Sequence, residues 1–164
     1  MDRVNLIWHH PVYQKLYVAL QWREKDRLFC RHDMEHFLSV ARLMWMYALE
    51  SRWNQKKDVL YGTALLHDLG RIRQYEFGEP HDVAGARIAR DILTTLPQTD
   101  RYTADEERMM VEAIACHRRK GEEAGSRLSE LLALCDKEAR LCFVCPVQDQ
   151  CKWPEEKRNE KIRY

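Results

Sequence analysis

The chain has 164 residues, of which 45% are hydrophobic, including five Trp and seven Tyr. This length and composition argue against disorder and predict one domain with a sizeable core. Lys and Arg number 27 against 26 Asp and Glu, so the charge balance gives no basis for nonspecific binding to nucleic-acid polymers or membranes. The first residues lack the apolar run of a signal peptide, and no stretch approaches the roughly 20 apolar residues of a membrane span. We therefore expect a cytoplasmic protein.

Helical periodicity dominates the sequence, because apolar residues recur three and four positions apart and no sustained alternation indicates strands. The pattern predicts an all-α fold. The expected helices, in chain order, cover residues 12–24, 33–50, 57–67, 81–94, 104–117 and 127–142. His9 and His10, which precede Pro11, are expected to lie in an N-terminal loop.

Several of these helices have an end signal in the sequence. Asp33 is placed to cap the second helix, and Thr103 with Glu106 has the capping-box spacing for the fifth. Gly70 is expected to terminate the third helix, and Gly121, together with Gly125, to separate the fifth from the sixth. The composition changes after Arg140. We therefore predict a helical domain at 1–140 and a Cys-rich extension at 141–164 packed on it.

Six histidines and aspartates fall on apolar faces of the predicted helices or at their ends. For example, His36 is in line with Val40, Leu43 and Tyr47 on one helical stripe, so its imidazole is expected to face the core. A buried charge or an unpaired imidazole is expensive, and a shared metal ion would compensate the whole set. The candidate ligands are His36, His67, Asp68, His81, His117 and Asp136.

The segments that carry these residues form an ordered series of motifs: MEHFLSVA at 34–41, ALLHDLGR at 64–71, HDVAGA at 81–86, AIACH at 113–117 and LALCD at 132–136. In that order they resemble the H, HD, H, H and D motifs of the HD-domain superfamily. The resemblance spans residues 34 to 140. It implies an all-α helical bundle and a metal-dependent phosphohydrolase that acts on nucleotides or other phosphate esters.

Mapped by motif, the resemblance also implies a ligand set. His36, His67, Asp68 and Asp136 look like the minimal ligands of a mononuclear centre. His81 and His117 match the additional positions of binuclear members. The segment at 81–86 is most similar to the binuclear subset that includes diadenosine tetraphosphate hydrolases. Arg71 departs from the family pattern, which usually has Lys there.

An imidazole-rich ligand set suits one or two ions of iron, manganese, cobalt or zinc better than magnesium, which prefers oxygen ligands. Asp68 is the natural bridge between two ions, and a metal-activated water would be the nucleophile. We expect Asp68 and Arg71 to be catalytic. Cations close to the motifs are expected to bind the substrate phosphates: Arg71, Arg118, Lys137 and Arg140, and less strongly Arg73, Arg119 and Lys120. His32 is expected to support the centre rather than to bind metal.

Three cysteines near the C-terminus have the spacing C-x2-C-x5-C: Cys142, Cys145 and Cys151. Three thiolates are one short of a closed tetrahedral site, and Cys30 is the best candidate for the fourth ligand, ahead of Cys116 and Cys135. A structural zinc ion and a four-iron cluster both remain open, as do ordinary thiols in a folded tail.

The sequence thus predicts a metal-dependent phosphohydrolase of a nucleotide or a related small phosphate ester. Two alternatives stay open. One is a di-iron oxygenase, because some HD-type proteins use the same ligand pattern to activate dioxygen, and the other is a nucleotide-binding module without turnover. The sequence leaves the metal, the substrate and the oligomeric state open.

Overall fold

The computed structural model describes residues 1–119 and 125–162, and within these ranges it is helical with no strand. The predicted all-α fold is therefore confirmed. The α-helices of the described ranges are α1 (Asp2–His9), α2 (Pro11–Arg23), α3 (Met34–Glu50), α4 (Lys57–Leu66), α5 (Arg71–Phe77), α6 (His81–Thr94), α7 (Ala104–Cys116) and α8 (Arg127–Glu138). Short 3-10 turns occur at Gln98–Asp100, Cys142–Val144, Gln148–Gln150 and Glu155–Lys157. Lys120 and the predicted helix breaker Gly121 lie outside the described residues.

All six predicted helices are present, and the two expected N-terminal caps form. Asp33 Oδ1 accepts a hydrogen bond from the His36 backbone N at 2.9 Å at the start of α3. Thr103 and Glu106 form a reciprocal capping box at the start of α7. These caps matter for the site, because they fix the first turn of α3 and the direction in which α7 runs towards its C-terminal end.

The prediction that the last helix extends to residue 142 was wrong, since α8 ends at Glu138. The physical reason lies in the C-terminal extension. The Asn159 side-chain amide lies 2.7 Å from the carbonyl oxygen of Lys137 and 2.8 Å from that of Arg140. Carbonyls at a helix end need an external partner, and here the extension supplies one. The division of the chain at residue 140 stays a prediction.

Two helices were not expected from the sequence. Helix α1 ends at His9, which was predicted to lie in a loop, and it packs Val4 and Ile7 into the core. Helix α5 follows directly on the tight turn after α4, and Gly70 precedes its first residue. Gly70 does not terminate the preceding helix as predicted. It has φ −64°, and its lack of a side chain serves close packing, because a Cβ there would lie 2.0 Å from the backbone oxygen of His81.

Helix α4 is the centre of the bundle. Every residue from Val59 to Leu66 is buried, and the helix packs against α1, α3 and α7. The C-terminal end of α4 therefore lies in the core and not at the surface, so the residues that follow Leu66 are also in the interior. None of the helices in the described ranges is both long and apolar enough to span a bilayer.

Candidate metal centre

His67 and Asp68 lie in the turn that follows α4, and both are fully buried. The Nδ1 atom of His67 lies 2.7 Å from the carbonyl oxygen of Ala64, one turn earlier. His117, directly after α7, repeats this arrangement, with its Nδ1 2.6 Å from the carbonyl oxygen of Ile114. A carbonyl only accepts hydrogen bonds, so Nδ1 is the donor and Nε2 faces away from the helix. Both rings are thereby held in the orientation that a metal-binding imidazole needs.

The other predicted ligands come from three further helices. His36 lies in the first turn of α3, His81 is the first residue of α6, and Asp136 lies in the last turns of α8. The Nε2 atom of His36 is 3.4 Å from Asp136 Oδ1. The Nε2 atom of His81 is 3.4 Å from Asp68 Oδ1, and that of His67 is 3.3 Å from Asp68 Oδ2.

The six candidate ligands form two groups that share one residue. His36, His67, Asp68 and Asp136 each offer one ligand atom within 4.8 Å of the others. Asp68, His81 and His117 form the second group by the same criterion. Asp68 belongs to both groups, with Oδ2 facing His67 and Oδ1 facing His81. A carboxylate in this position can bind two neighbouring ions through its two oxygens.

Four atoms of this centre are buried and have no hydrogen-bond partner: Nε2 of His36, His67 and His81, and Oδ2 of Asp68. Buried polar atoms are nearly always hydrogen-bonded, and several unpaired ones that face a common point indicate a missing ligand. Imidazole nitrogens and carboxylate oxygens are donors that divalent transition metals accept. The residues therefore fit the metal that the sequence predicts.

The electrostatics of the centre lead to the same inference. Burial opposes ionisation of Asp68 and Asp136, but the neighbouring histidines outweigh it, so the pKa of each carboxyl lies below its usual range. Burial disfavours the charged form of His67, yet Asp68 and Asp136 raise its pKa to about 10. Burial lowers the pKa of His81 to about 3. The buried carboxylate of Asp68 and the partly buried carboxylate of Asp136 thus favour a positive charge at this point, and a metal cation would take the place of the proton on His67.

His32 and Glu24 form a pair next to Asp68, and the sequence did not predict that these two residues are in contact. His32 Nε2 lies 3.3 Å from Asp68 Oδ2, and its Nδ1 lies 2.6 Å from Oε1 of buried Glu24. The second oxygen of Glu24 accepts a hydrogen bond from the His32 backbone N, and the Tyr75 hydroxyl donates to Oε1. Burial raises the pKa of Glu24, but the hydrogen bonds from His32 outweigh it and lower the pKa to about 2. Glu24 stays ionised and fixes the ring of His32 against Asp68.

This arrangement predicts that Glu24→Gln weakens metal binding about 10- to 100-fold, because outer partners of metal ligands have effects of this size. The backbone N and the ring of His32 bond to different oxygens of Glu24, and glutamine has an NH2 donor in place of one of them, so the ring would lose its fixed orientation. Metal affinity, measured by competition with a chromogenic chelator, tests the prediction. Glu76→Gln, at an exposed position on α5, is the matched control. Equal affinities in the two variants would contradict it.

A cavity of about 350 Å³ opens over the metal centre. The four cations expected to bind phosphate line it: Arg71, Arg118, Lys137 and Arg140. Arg27 and Trp153 also line this cavity, and the sequence did not point to either. Arg71 has a second role, because its Nε donates to Asp68 Oδ1 at 3.0 Å. Arg73 lies elsewhere, with its guanidinium 4.1 Å from the ring of Phe77.

The predicted cysteine ligands lie beside this centre rather than in it. Cys30, Cys142, Cys145 and Cys151 line a neighbouring cavity, whereas Cys116 and Cys135 are buried elsewhere. The two cavities have four lining residues in common: Cys30, His36, Arg140 and Trp153.

The fold and the centre together define an all-α domain whose His and Asp side chains converge on a buried point suited to metal. Residues 33–141 match the HD domain family, and the chain belongs to that family. The resemblance noted from the motifs is thereby confirmed at the level of the family.

Relatives of two kinds are similar to the chain. One is described as "Uncharacterized protein" from Clostridium beijerinckii and is 38% identical over 164 residues, which is all of both chains. The other is Ribonuclease Y, which is 36% identical in Nitratidesulfovibrio vulgaris and 32% identical in Oleidesulfovibrio alaskensis, in each case over 81 residues. That match covers 49% of this chain but only 15% of Ribonuclease Y. No solved structure matches the chain.

Proposed function

We propose that this protein is a metal-dependent phosphohydrolase of a nucleotide or a related small phosphate ester. The observation that supports it most strongly is the convergence of six buried or partly buried ligand side chains in two groups that share Asp68. Membership of the HD domain family supports the same reaction class. His36, His67, Asp68 and Asp136 would hold one ion, and His81 and His117 would complete a second site with Asp68.

The side chains around the centre have distinct tasks in this proposal. Bound divalent metal supplies Lewis-acid activation of water and neutralises charge on the transferring phosphoryl group. Asp68 holds the two halves of the centre at a fixed separation, and Arg71 orients it through the hydrogen bond to Oδ1. Arg118, Lys137 and Arg140 bind the non-reacting phosphate oxygens at the rim of the cavity.

The cavity supports a small substrate rather than a polymer. Its volume of about 350 Å³ is at the lower end of the range for pockets that bind small molecules. Exposed Trp153 lines the wall, and an indole ring there can stack on a nucleobase while the cations bind phosphate. The near-neutral net charge of the chain provides no general electrostatic attraction for a long phosphate backbone.

The proposal is tested by phosphate release from a panel of esters. The chain is purified, freed of metal and resupplied separately with iron(II), manganese(II), cobalt(II) or zinc. The panel contains nucleoside mono-, di- and triphosphates, dinucleoside polyphosphates, p-nitrophenyl phosphate and a short RNA oligonucleotide. We expect metal-dependent hydrolysis, with a nucleotide as the best substrate. The variant His9→Ala, at an exposed position on α1, should retain full activity.

Three other outcomes would overturn the proposal. Metal binding without cleavage of any ester, together with tight nucleotide binding, would favour a non-catalytic module. Oxygen consumption by the iron-loaded chain without phosphate release would favour an oxygenase. Preferential cleavage of the RNA oligonucleotide would contradict the assignment of a small substrate.

A further inference from the structure

A second cavity lies beside the metal centre, between the loop that precedes α3 and the C-terminal extension. It has a volume of about 300 Å³. The residues that line it include four of the six cysteines of the chain: Cys30, Cys142, Cys145 and Cys151. These thiols are free, and they come from segments more than 100 residues apart. The proposed phosphohydrolase chemistry uses none of them.

The backbone at Cys30 indicates that its position is specifically maintained. Cys30 has φ +41°, in the left-handed region that residues with a side chain rarely adopt. Arg27 and Arg31 form hydrogen bonds with backbone carbonyls of the loop that contains Cys30. Arg27 Nε donates to the Phe29 carbonyl at 2.6 Å, and Arg31 Nε donates to the Arg27 carbonyl at 3.0 Å. Unusual backbone conformations of this kind tend to occur where a side chain must be held for a function.

The thiols of Cys30 and the extension share one electrostatic environment. Burial raises the pKa of Cys30, and the nearby Cys142 and Cys151 raise it further, whereas Arg140 and Arg27 lower it. Arg31 and Arg158 also line the cavity. Grouped thiolates repel one another, and neighbouring guanidinium groups together with a bound cation would compensate them.

A zinc site and a four-iron cluster require different distances between the sulfurs of their cysteine ligands. Zinc–sulfur bonds of about 2.3 Å in a tetrahedron place the four thiolates about 3.8 Å apart. No three cysteine sulfurs of the described residues lie within 4.8 Å of one another. In a four-iron cluster each thiolate binds a different corner of the cube, so the sulfurs stand farther apart than around one ion. Because Cys30, Cys142, Cys145 and Cys151 line one cavity without the close spacing of a single-ion site, we propose that they hold a [4Fe–4S] cluster.

The cluster has a structural consequence for the metal centre. Each thiol loses its proton when it binds iron, and the four iron–sulfur bonds tie the extension to the loop before α3. Both ends of this link contact the substrate cavity, because Cys30 and Trp153 line both cavities. Trp153 in turn lies under Arg140, whose guanidinium carbon is 5.1 Å from the ring centroid. The cluster thus holds the wall that carries Arg140 and Trp153.

Acid-labile sulfide is the measurement that tests this proposal, because the His and Asp centre contains none. The full chain is produced and purified without oxygen, and iron, zinc and sulfide are quantified per chain. We expect about four sulfides per chain and a visible absorption band that reduction bleaches. Cys145→Ser should lose at least three-quarters of the sulfide, whereas the matched variant Cys116→Ala should retain it. Asp68→Asn should also retain it, which separates this proposal from the proposed hydrolase function.

A second measurement uses the wild-type chain, so it tests the proposal even if the cysteine variants fail to fold. The wild-type chain is reconstituted with iron and sulfide, and its thiols are then alkylated and mapped by mass spectrometry. Protection of the four proposed ligands, lost when the cluster is chelated, would support the proposal. About one zinc per chain lost in Cys145→Ser, with no sulfide in the wild type, would overturn the iron–sulfur assignment. Unprotected thiols and no metal at all would overturn the site.

Discussion

Asp68→Asn is expected to remove the metal from the centre and to lower kcat/KM at least about 1,000-fold, which corresponds to about 4 kcal/mol of lost transition-state stabilisation. Asp68 is the one ligand common to both groups of donors. Asparagine has nearly the same shape but no charge, and only one of its two terminal atoms can bind a cation. The two halves of the centre would therefore lose their shared ligand while the packing around the side chain changes little.

Metal analysis of wild type and variant, combined with kcat/KM on the best ester, tests this prediction. If two ions share Asp68, the wild type binds about two per chain outside the cysteine site and the variant binds none firmly. Asp91→Asn, at an exposed position on α6, is the charge-matched control and should leave both values unchanged. Normal hydrolysis by Asp68→Asn, with a full complement of metal, would contradict the proposed centre.

The candidate ligands could be identified from the sequence because their positions follow the same pattern as the core residues. Each candidate ligand is in phase with apolar residues on a helix or directly follows a buried helix, so the periodicity that builds the bundle also gives the direction of each side chain. His67 shows this most clearly, since the preceding helix is buried all round and ends inside the molecule. Six such positions with similar chemistry could be grouped before any distance was known.

The sequence indicated that His32 supports the centre, but it did not indicate the contact of His32 with Glu24. These two residues lie in a loop and at the end of one helix, where no periodicity gives a direction. Their partner Tyr75 lies on α5, a helix of seven residues that is too short for a reliable periodic pattern. Trp153 lies in the extension, whose course depends on contacts such as those of Asn159 with the end of α8. These are tertiary contacts without a local signal.

Gly70→Ala is expected to destabilise the fold by about 3 kcal/mol or more, at the upper end of the effects of overpacking. A Cβ at this position would lie 2.0 Å from the backbone oxygen of His81 and 2.5 Å from the backbone N of Gly85. Both atoms belong to the first turns of α6, so a flexible side chain cannot relieve the clash. The whole N-terminal end of α6 would have to move away from the turn after α4.

Gly78→Ala is the matched control for this substitution. Gly78 has φ +72°, so alanine there loses the freedom of the left-handed region, but nothing lies within 4 Å of the added Cβ. We expect a cost of about 1 kcal/mol, the penalty of the backbone conformation alone. Denaturant unfolding followed by circular dichroism gives both free energies of unfolding. Equal losses in the two variants would show that Gly70 does not serve close packing.

The displacement of α6 in Gly70→Ala should affect the two groups of metal ligands unequally. His81 is the first residue of α6, and its Nε2 lies 3.4 Å from Asp68 Oδ1. His36 and Asp136, in contrast, lie on α3 and α8. In conditions where Gly70→Ala remains folded, it should therefore lose the ion shared with His81 and keep the ion held by the other group. About one ion per chain outside the cysteine site, against about two in Gly78→Ala, is the expected metal content. Equal metal content in these two folded variants would mean that close packing of α6 against Gly70 does not set the position of His81.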